Sequence, residues 1–227
     1  MTLRRGATPA PTRPRKRKLH MEPFIRLIGS AAPLLRPNID TDVIIRIERL
    51  TSLPRRELGR YALEALRYDA HGRERPDFVL NTRAFREAVT LLADANFGCG
   101  SSREGAVWAL MEAGIRCVVA PSFGDIFYNN CFQNGLLPIR LPIETIRELG
   151  EACAGGRPLE VDLETCRLKT SAGATYRFEI DAVRRESMLN GLDDIGLTLR
   201  DDDAIRAWQH ADRAVRPWAW SVTGVLA

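Results

Sequence analysis

A chain of 227 residues, 45% hydrophobic and 27% charged, can bury a sizeable core. It has no apolar run long enough to cross a membrane, so composition argues for one compact cytoplasmic domain. The formal charge of +4 misleads, because Arg4, Arg5, Arg13, Arg15, Lys16, Arg17 and Lys18 place seven basic and no acidic side chains in the first twenty residues, leaving residues 21–227 at −3.

That leader is proline-rich, without interleaved aromatics or an apolar helical face. It is expected to be a disordered tail or an over-extended start before Met21, and it argues against nucleic-acid binding or organelle targeting. Residues 21–227 are then expected to form a single domain. Along it, strands are expected at 24–28 and 43–45, a helix over 54–68 and a short strand at 78–80. Next come strand 90–93, helix 102–113, strand 116–120, a short helix over 125–132 and strand 137–141. This alternation is a βαβ pattern of the α/β class. Helix 143–154 leads to strands 159–169 and 175–180, joined as a hairpin by Ser171-Ala172-Gly173-Ala174. Helix 181–190, stopped by Gly191, and a helix over 203–214 complete the chain, which has no internal repeat.

The most informative stretch is Asn96-Phe97-Gly98-Cys99-Gly100-Ser101-Ser102-Arg103-Glu104, a glycine-rich turn between the strand at 90–93 and the helix that follows. Free N–H groups and the positive end of a helix dipole favour a carboxylate or phosphate there, and Arg103 adds a two-pronged, permanent charge. A serine in that field loses its proton more easily, which suits Ser101 or Ser102 as base or nucleophile. Taken alone, the segment is better read as ordinary loop chemistry with Ser102 capping the helix.

Cys99, Cys117, Cys131, Cys153 and Cys166 form no Cys-x-x-Cys pair, so neither disulfides nor a cluster ligated by this chain is expected. Cys117 reads as a small buried hydrophobe and Cys99 as a compact residue in a crowded turn. His20, His71 and His210 lie in the tail, a loop and the last helix, which gives no support to a Ser-His-Asp triad or a histidine metal site.

Two further segments flank the loop: Asn38-Ile39-Asp40-Thr41-Asp42-Val43-Ile44-Ile45 before it, and the run from Ala120-Pro121-Ser122-Phe123-Gly124-Asp125 to Gly135-Leu136-Leu137-Pro138 after it. With Leu189-Asn190-Gly191-Leu192-Asp193-Asp194-Ile195-Gly196-Leu197-Thr198-Leu199, these resemble the small subunit of isopropylmalate dehydratase, of the aconitase superfamily. The resemblance covers most of the chain. It implies a swivelling β/β/α domain, with a mixed sheet flanked by helices, that closes over a large subunit bearing a 4Fe-4S cluster; this chain itself would hold no metal or cofactor. The two would form a heterodimer or a higher assembly acting on a small 2-hydroxy diacid, away from membranes and nucleic acid. By motif position, the resemblance makes Ser101 the base beside the substrate carboxylate, and Ser102 and Arg103 the residues that hold that carboxylate. Gly98, Cys99, Gly100, Asp40 and Asp42 would support the loop, although Asn38-x-Asp-Thr-Asp also reads as a side-chain-stabilised turn.

Gly105 and Val107 stand where the family's motif has histidine and proline, and Arg46 where it has proline after the paired isoleucines. Glycine early in a helix costs about 0.5–1 kcal/mol and is expected to loosen the turn. The reaction implied is conversion of 2-isopropylmalate to 3-isopropylmalate through isopropylmaleate, in leucine biosynthesis. The same chemistry on a citramalate, methylmalate, dimethylmalate or homocitrate type of acid stands beside it, as does a non-catalytic anion-binding module. The basic segment 58–81 falls where the family's substrate-discriminating loop lies.

Overall fold

The structure, a computed structural model, describes residues 21–220; the expected basic tail lies outside them. One seven-stranded sheet runs in the order β4-β3-β2-β1-β5-β6-β7, with β1 (Arg26–Leu34) at its middle. The C-terminal half of β1 pairs in parallel with β2 (Thr90–Ala93), Leu34 opposite Ala93, and its N-terminal half pairs antiparallel with β5 (Pro158–Asp162), Arg26 opposite Asp162. Parallel strands β3 (Cys117–Ala120) and β4 (Leu137–Arg140) extend one wing, and antiparallel strands β6 (Arg167–Thr170) and β7 (Thr175–Arg177) the other. The sheet is therefore mixed, as expected.

Sequence patterning explains the two wings. Thr90-Leu91-Leu92-Ala93 and Cys117-Val118-Val119-Ala120 are buried throughout, as strands covered on both faces must be. Alternate residues feed two cores. Leu91, Ala93, Val118 and Ala120 pack with α1 (Thr41–Ile44), α4 (Glu104–Glu112) and α5 (Asp125–Asn134). Leu92, Cys117 and Val119 face α6 (Ile143–Ala152) and α7 (Ala182–Asn190), joined there by Leu159, Val161 and Leu168 of the antiparallel wing. In that wing, buried and open positions alternate, since one face meets water.

Several local expectations were overturned by tertiary context. Residues 43–45, β-branched and expected as a strand, belong instead to α1 and its end, because the Asp40 carboxylate caps Val43 N–H at 2.7 Å and Ile44 and Ile45 are buried. The helix expected over 54–68 is split. A 3-10 turn, Arg55–Tyr61, is followed by Leu63 at φ 58° and then by α3 (Glu64–Arg67). Leu63 N–H donates to Ile44 C=O at 2.8 Å, a tertiary bond in place of a helical one, and Gly59 lies against the backbone of Glu112 at the end of α4. The strand expected at 78–80 is a 3-10 turn, Val79–Asn81. The long strand expected at 159–169 is two strands, since Thr165 N–H bonds the Asp162 carboxylate at 2.9 Å and Cys166 turns the chain at φ 52°. The Gly173 hairpin and the Gly191 helix stop stand as read, at φ 92° and 64°. Two helices were missed, α2 (Ile47–Ser52) and α8 (Asp194–Thr198); the last helix is α9 (Asp202–Val215).

Two glycines make opposite predictions. A Cβ at Gly59 would overlap the Glu112 carbonyl, which cannot yield, whereas at Gly150, inside α6, it would meet only Pro33 Cβ at 3.7 Å. In urea denaturation Gly59→Ala is expected to destabilise the chain by about 1–3 kcal/mol, and Gly150→Ala to stabilise it by about 0.5–1 kcal/mol. Equal effects of the two would contradict this packing.

Candidate active site

The ends of β1, β2, β3 and β4 lie abreast at the carboxyl edge, with Leu34 opposite Ala93 and Ala120 opposite Arg140. Loop 94–103 leaves β2 there and is held from both sides. Toward the loop after β1, Asn38 N–H donates to Ala95 C=O (2.9 Å), Gly98 N–H to Ile39 C=O (2.7 Å) and Thr41 N–H to Cys99 C=O (2.9 Å). Toward the loop after β3, Phe97 N–H donates to Ser122 C=O (3.0 Å), Gly124 N–H to Phe97 C=O (2.9 Å), and Asn96 N–H to Ser122 Oγ (2.9 Å). The loop meets these partners on opposite sides by turning through positive φ at Asn96, Gly98 and Gly100 (61°, 71° and 89°). Gly98 admits no side chain, because a Cβ would overlap the Phe127 ring.

At the tip, Ser101 and Ser102 are exposed. The Ser101 carbonyl accepts from the buried Thr41 hydroxyl at 3.0 Å, which fixes its main chain. Among the described residues neither serine hydroxyl has a hydrogen-bond partner. The helix expected from residue 102 begins at Glu104 with Arg103 as its N-cap and no side-chain cap, so the cap reading of Ser102 is not what the fold uses. Both serines precede the helix, with its unsatisfied first N–H groups behind them. Arg103, its side chain 18% exposed, folds back onto the Asp42 carboxylate through Nη1, which leaves other donors of its guanidinium unused.

The supporting residues divide by role. Asp40 is the cap of α1 and pairs with Cys99 in a short parallel bridge, so it serves the turn, while Asp42 reaches the arginine. Cys99 is half-buried and gives its carbonyl to Thr41. Gly105 does not loosen the helix start as expected. The space where its Cβ would stand is filled by Leu50 of α2, which locks α2 onto the first turn of α4. Sequence reasoning missed Thr41, Leu50 and Asn134. Asn134 donates to Glu104 Oε1 (2.8 Å) and accepts from Trp108 Nε1 (2.8 Å), tying α4 to α5; it lies within the 120–138 run, but no role for it was legible there.

Among the described residues no three His, Cys, Asp or Glu side chains converge as a metal site. Cys117, Cys131 and Cys153 are buried, and burial pushes each thiol up, while Cys99 and Cys166 are half-buried.

Comparison with known proteins follows the same lines. The family described as aconitase C-terminal domain matches residues 21–144, and the family described as the C-terminal domain of the 3-isopropylmalate dehydratase small subunit matches residues 194–219. A 3-isopropylmalate dehydratase small subunit of Rhodospirillum centenum is 52% identical over 201 residues, 88% of this chain and 99% of the relative. One from Dinoroseobacter shibae is 50% identical over 200 residues, 87% of this chain and all of the relative. The crystal structure of 3-isopropylmalate dehydratase from Methanocaldococcus jannaschii matches with a TM-score of 0.61 at 28% identity, covering 82% of this chain and 99% of that one.

The Leu50–Gly105 contact is testable by a double-mutant cycle. Gly105→Ala in the native chain should forfeit the usual gain of alanine in a helix, and in a Leu50→Ala background it should recover about 0.5–1 kcal/mol. Identical effects in both backgrounds would show that the two residues are not coupled.

Proposed function

Since the chain belongs to the family of 3-isopropylmalate dehydratase small subunits, we propose that its carboxyl-edge loop carries this subunit's share of the chemistry. Its family's reaction is that of a hydro-lyase of leucine biosynthesis, which isomerises 2-isopropylmalate to 3-isopropylmalate by removing and re-adding water through isopropylmaleate. In this reading residues 21–227 act as one swivelling unit that docks in the cytoplasm on a large subunit. A 4Fe-4S cluster held by that subunit supplies a Lewis acid for the substrate hydroxyl.

Ser101 takes the proton from the carbon beside the substrate carboxylate, and during rehydration it returns a proton to the carbon that first carried the hydroxyl. Ser102 and Arg103 hold the carboxylate whose negative charge grows as the proton leaves. A carbon acid of this kind is weak, so its base must be strongly basic and its carboxylate must meet donors aimed in advance. One observation carries the reading: the loop's main chain is tied on both sides while the hydroxyls of Ser101 and Ser102 remain unengaged beside an arginine already oriented by Asp42. Gly98, Gly100 and Cys99 contribute shape, Asp40 the cap and Asp42 the orientation of Arg103.

The related acids keep one point of support. A groove of about 530 Å³ beside α2 is lined by Arg46, Arg49, Arg60, Tyr61, Tyr68 and Asp69, with Glu64 paired to Arg49 at 3.0 Å and to Arg46 at 3.4 Å. A groove of this kind suits a substituent that carries a further carboxylate, as in a homocitrate type of acid, and assaying homocitrate beside 2-isopropylmalate decides between them.

With the large subunit present, Ser101→Ala is expected to lower kcat by about 10²- to 10⁴-fold without weakening subunit association, and Arg103→Lys to raise KM by about tenfold as the two-pronged contact is lost. Absorbance of the unsaturated intermediate reads both. Ser101→Ala activity within threefold of the unaltered enzyme would remove Ser101 as the base.

A further inference from the structure

Beyond the loop, two arginines, Arg140 at the end of β4 and Arg184 of α7, lie against one aromatic ring, Tyr128. The Arg140 guanidinium lies 4.1 Å from the Tyr128 ring centre and that of Arg184 lies 5.2 Å from it, the latter also 4.7 Å from the Phe132 ring. Arg177 lines the adjoining groove of about 590 Å³, with Tyr128, Arg140 and Phe178. Among the described residues none of the three makes a salt bridge. Arg184 instead donates to the neutral Asn129 Oδ1 at 2.8 Å. Two carboxylates line the groove. Asp181 is committed to the start of α7, accepting from Val183 and Arg184 N–H at 3.1 Å, which leaves Glu179 facing Arg140 and Arg177; Arg184 borders a neighbouring groove with Asp193, which accepts from Gly196 N–H at 2.7 Å, and Asp194, which accepts from Gln133 at 3.1 Å.

The Arg140 and Arg184 charges are ordered by rings and make no salt bridge among the described residues, an arrangement that costs little in water and suits an incoming anion. Their position matters as much. Arg140 ends β4, two strands from the end of β2, hence about 10 Å along the edge. A continuous aromatic stack joins the two places: Phe97 of the loop meets Phe123 at 6.5 Å and Phe127 at 5.6 Å, Phe123 meets Tyr128 at 5.5 Å, and Tyr128 meets Phe132 at 5.1 Å. A partner surface that covers Ser101 needs to extend only about 10 Å further along the edge to meet Arg140.

We infer that Arg140 and Arg184 on Tyr128, with Arg177 in the adjoining groove, form a docking surface for carboxylate side chains of the large subunit, flanking the catalytic contact. The inference rests on the small-subunit reading above. The surface is built for electrostatic complementarity: it steers and orients association, and it is screened by salt.

The test is the dissociation constant of the intact two-subunit complex at low and high salt, with kcat at saturating large subunit. Arg140→Gln/Arg184→Gln is expected to weaken association about tenfold at low salt, with a flatter salt dependence and kcat unchanged. Arg140→Lys/Arg184→Lys keeps the charge and is expected to stay within about threefold of the native affinity, which separates charge from lost packing on Tyr128. Native affinity in the Gln pair, or an equal loss in the Lys pair, overturns the docking surface and leaves the small-subunit reading standing. Failure of the unaltered chain to bind the large subunit overturns both.

Discussion

Three neighbouring loops at the carboxyl edge hold one another through their main chains, and the candidate site depends on that lacing. The loop after β2 spends its backbone groups on the loop after β1 on one side and on the loop after β3 on the other. Such bonding on both sides requires the chain to turn repeatedly, which explains positive φ at Asn96, Gly98 and Gly100 within five residues. It also requires close approach. Gly98 has Phe127 where a Cβ would be, and a Cβ at Gly124 would come within 2.5 Å of the Gly98 carbonyl.

The result is a division of labour within one loop. Main-chain groups are satisfied internally, so the conformation is held without using the side chains that chemistry needs. Thr41 illustrates the division, its buried hydroxyl fixing the Ser101 carbonyl and leaving the Ser101 hydroxyl alone. Charge is divided in the same way along the edge. At the loop an arginine is paired and oriented by Asp42, which favours directed contact with a small anion; around Tyr128 the arginines rest on rings, which favours a broader anionic surface. Rigid aromatic packing connects the two regions, so a partner registered on one is registered on the other.

Much of this was legible in the sequence where local chemistry governs. Buried parallel strands announce themselves as short apolar runs, and Gly173 and Gly191 mark turns that only their φ values permit. Errors fell where a distant contact outweighed local preference. Val43, Ile44 and Ile45 have strand-forming side chains, but a capping carboxylate and burial wind Val43 and Ile44 into α1 and leave Ile45 as its extended C-cap. Residues 54–68 look helical throughout, yet Gly59 pressed on the end of α4 and the Leu63–Ile44 hydrogen bond break them in two. Gly105 reads as a weak point only until Leu50 is seen in the space it leaves.

The sequence by itself determined the α/β class, the strand-to-helix corner and the order Ser101-Ser102-Arg103, because these follow from hydrophobic period, glycine placement and the fixed chemistry of side chains. Tertiary structure alone decided that the serines stand ahead of the helix rather than capping it, that Asp42 rather than Asp40 reaches Arg103, and that Arg140 and Arg184 share one ring. Those outcomes depend on which backbone and side-chain groups meet across long stretches of chain, and a competition among distant partners is settled by packing rather than by neighbours in sequence.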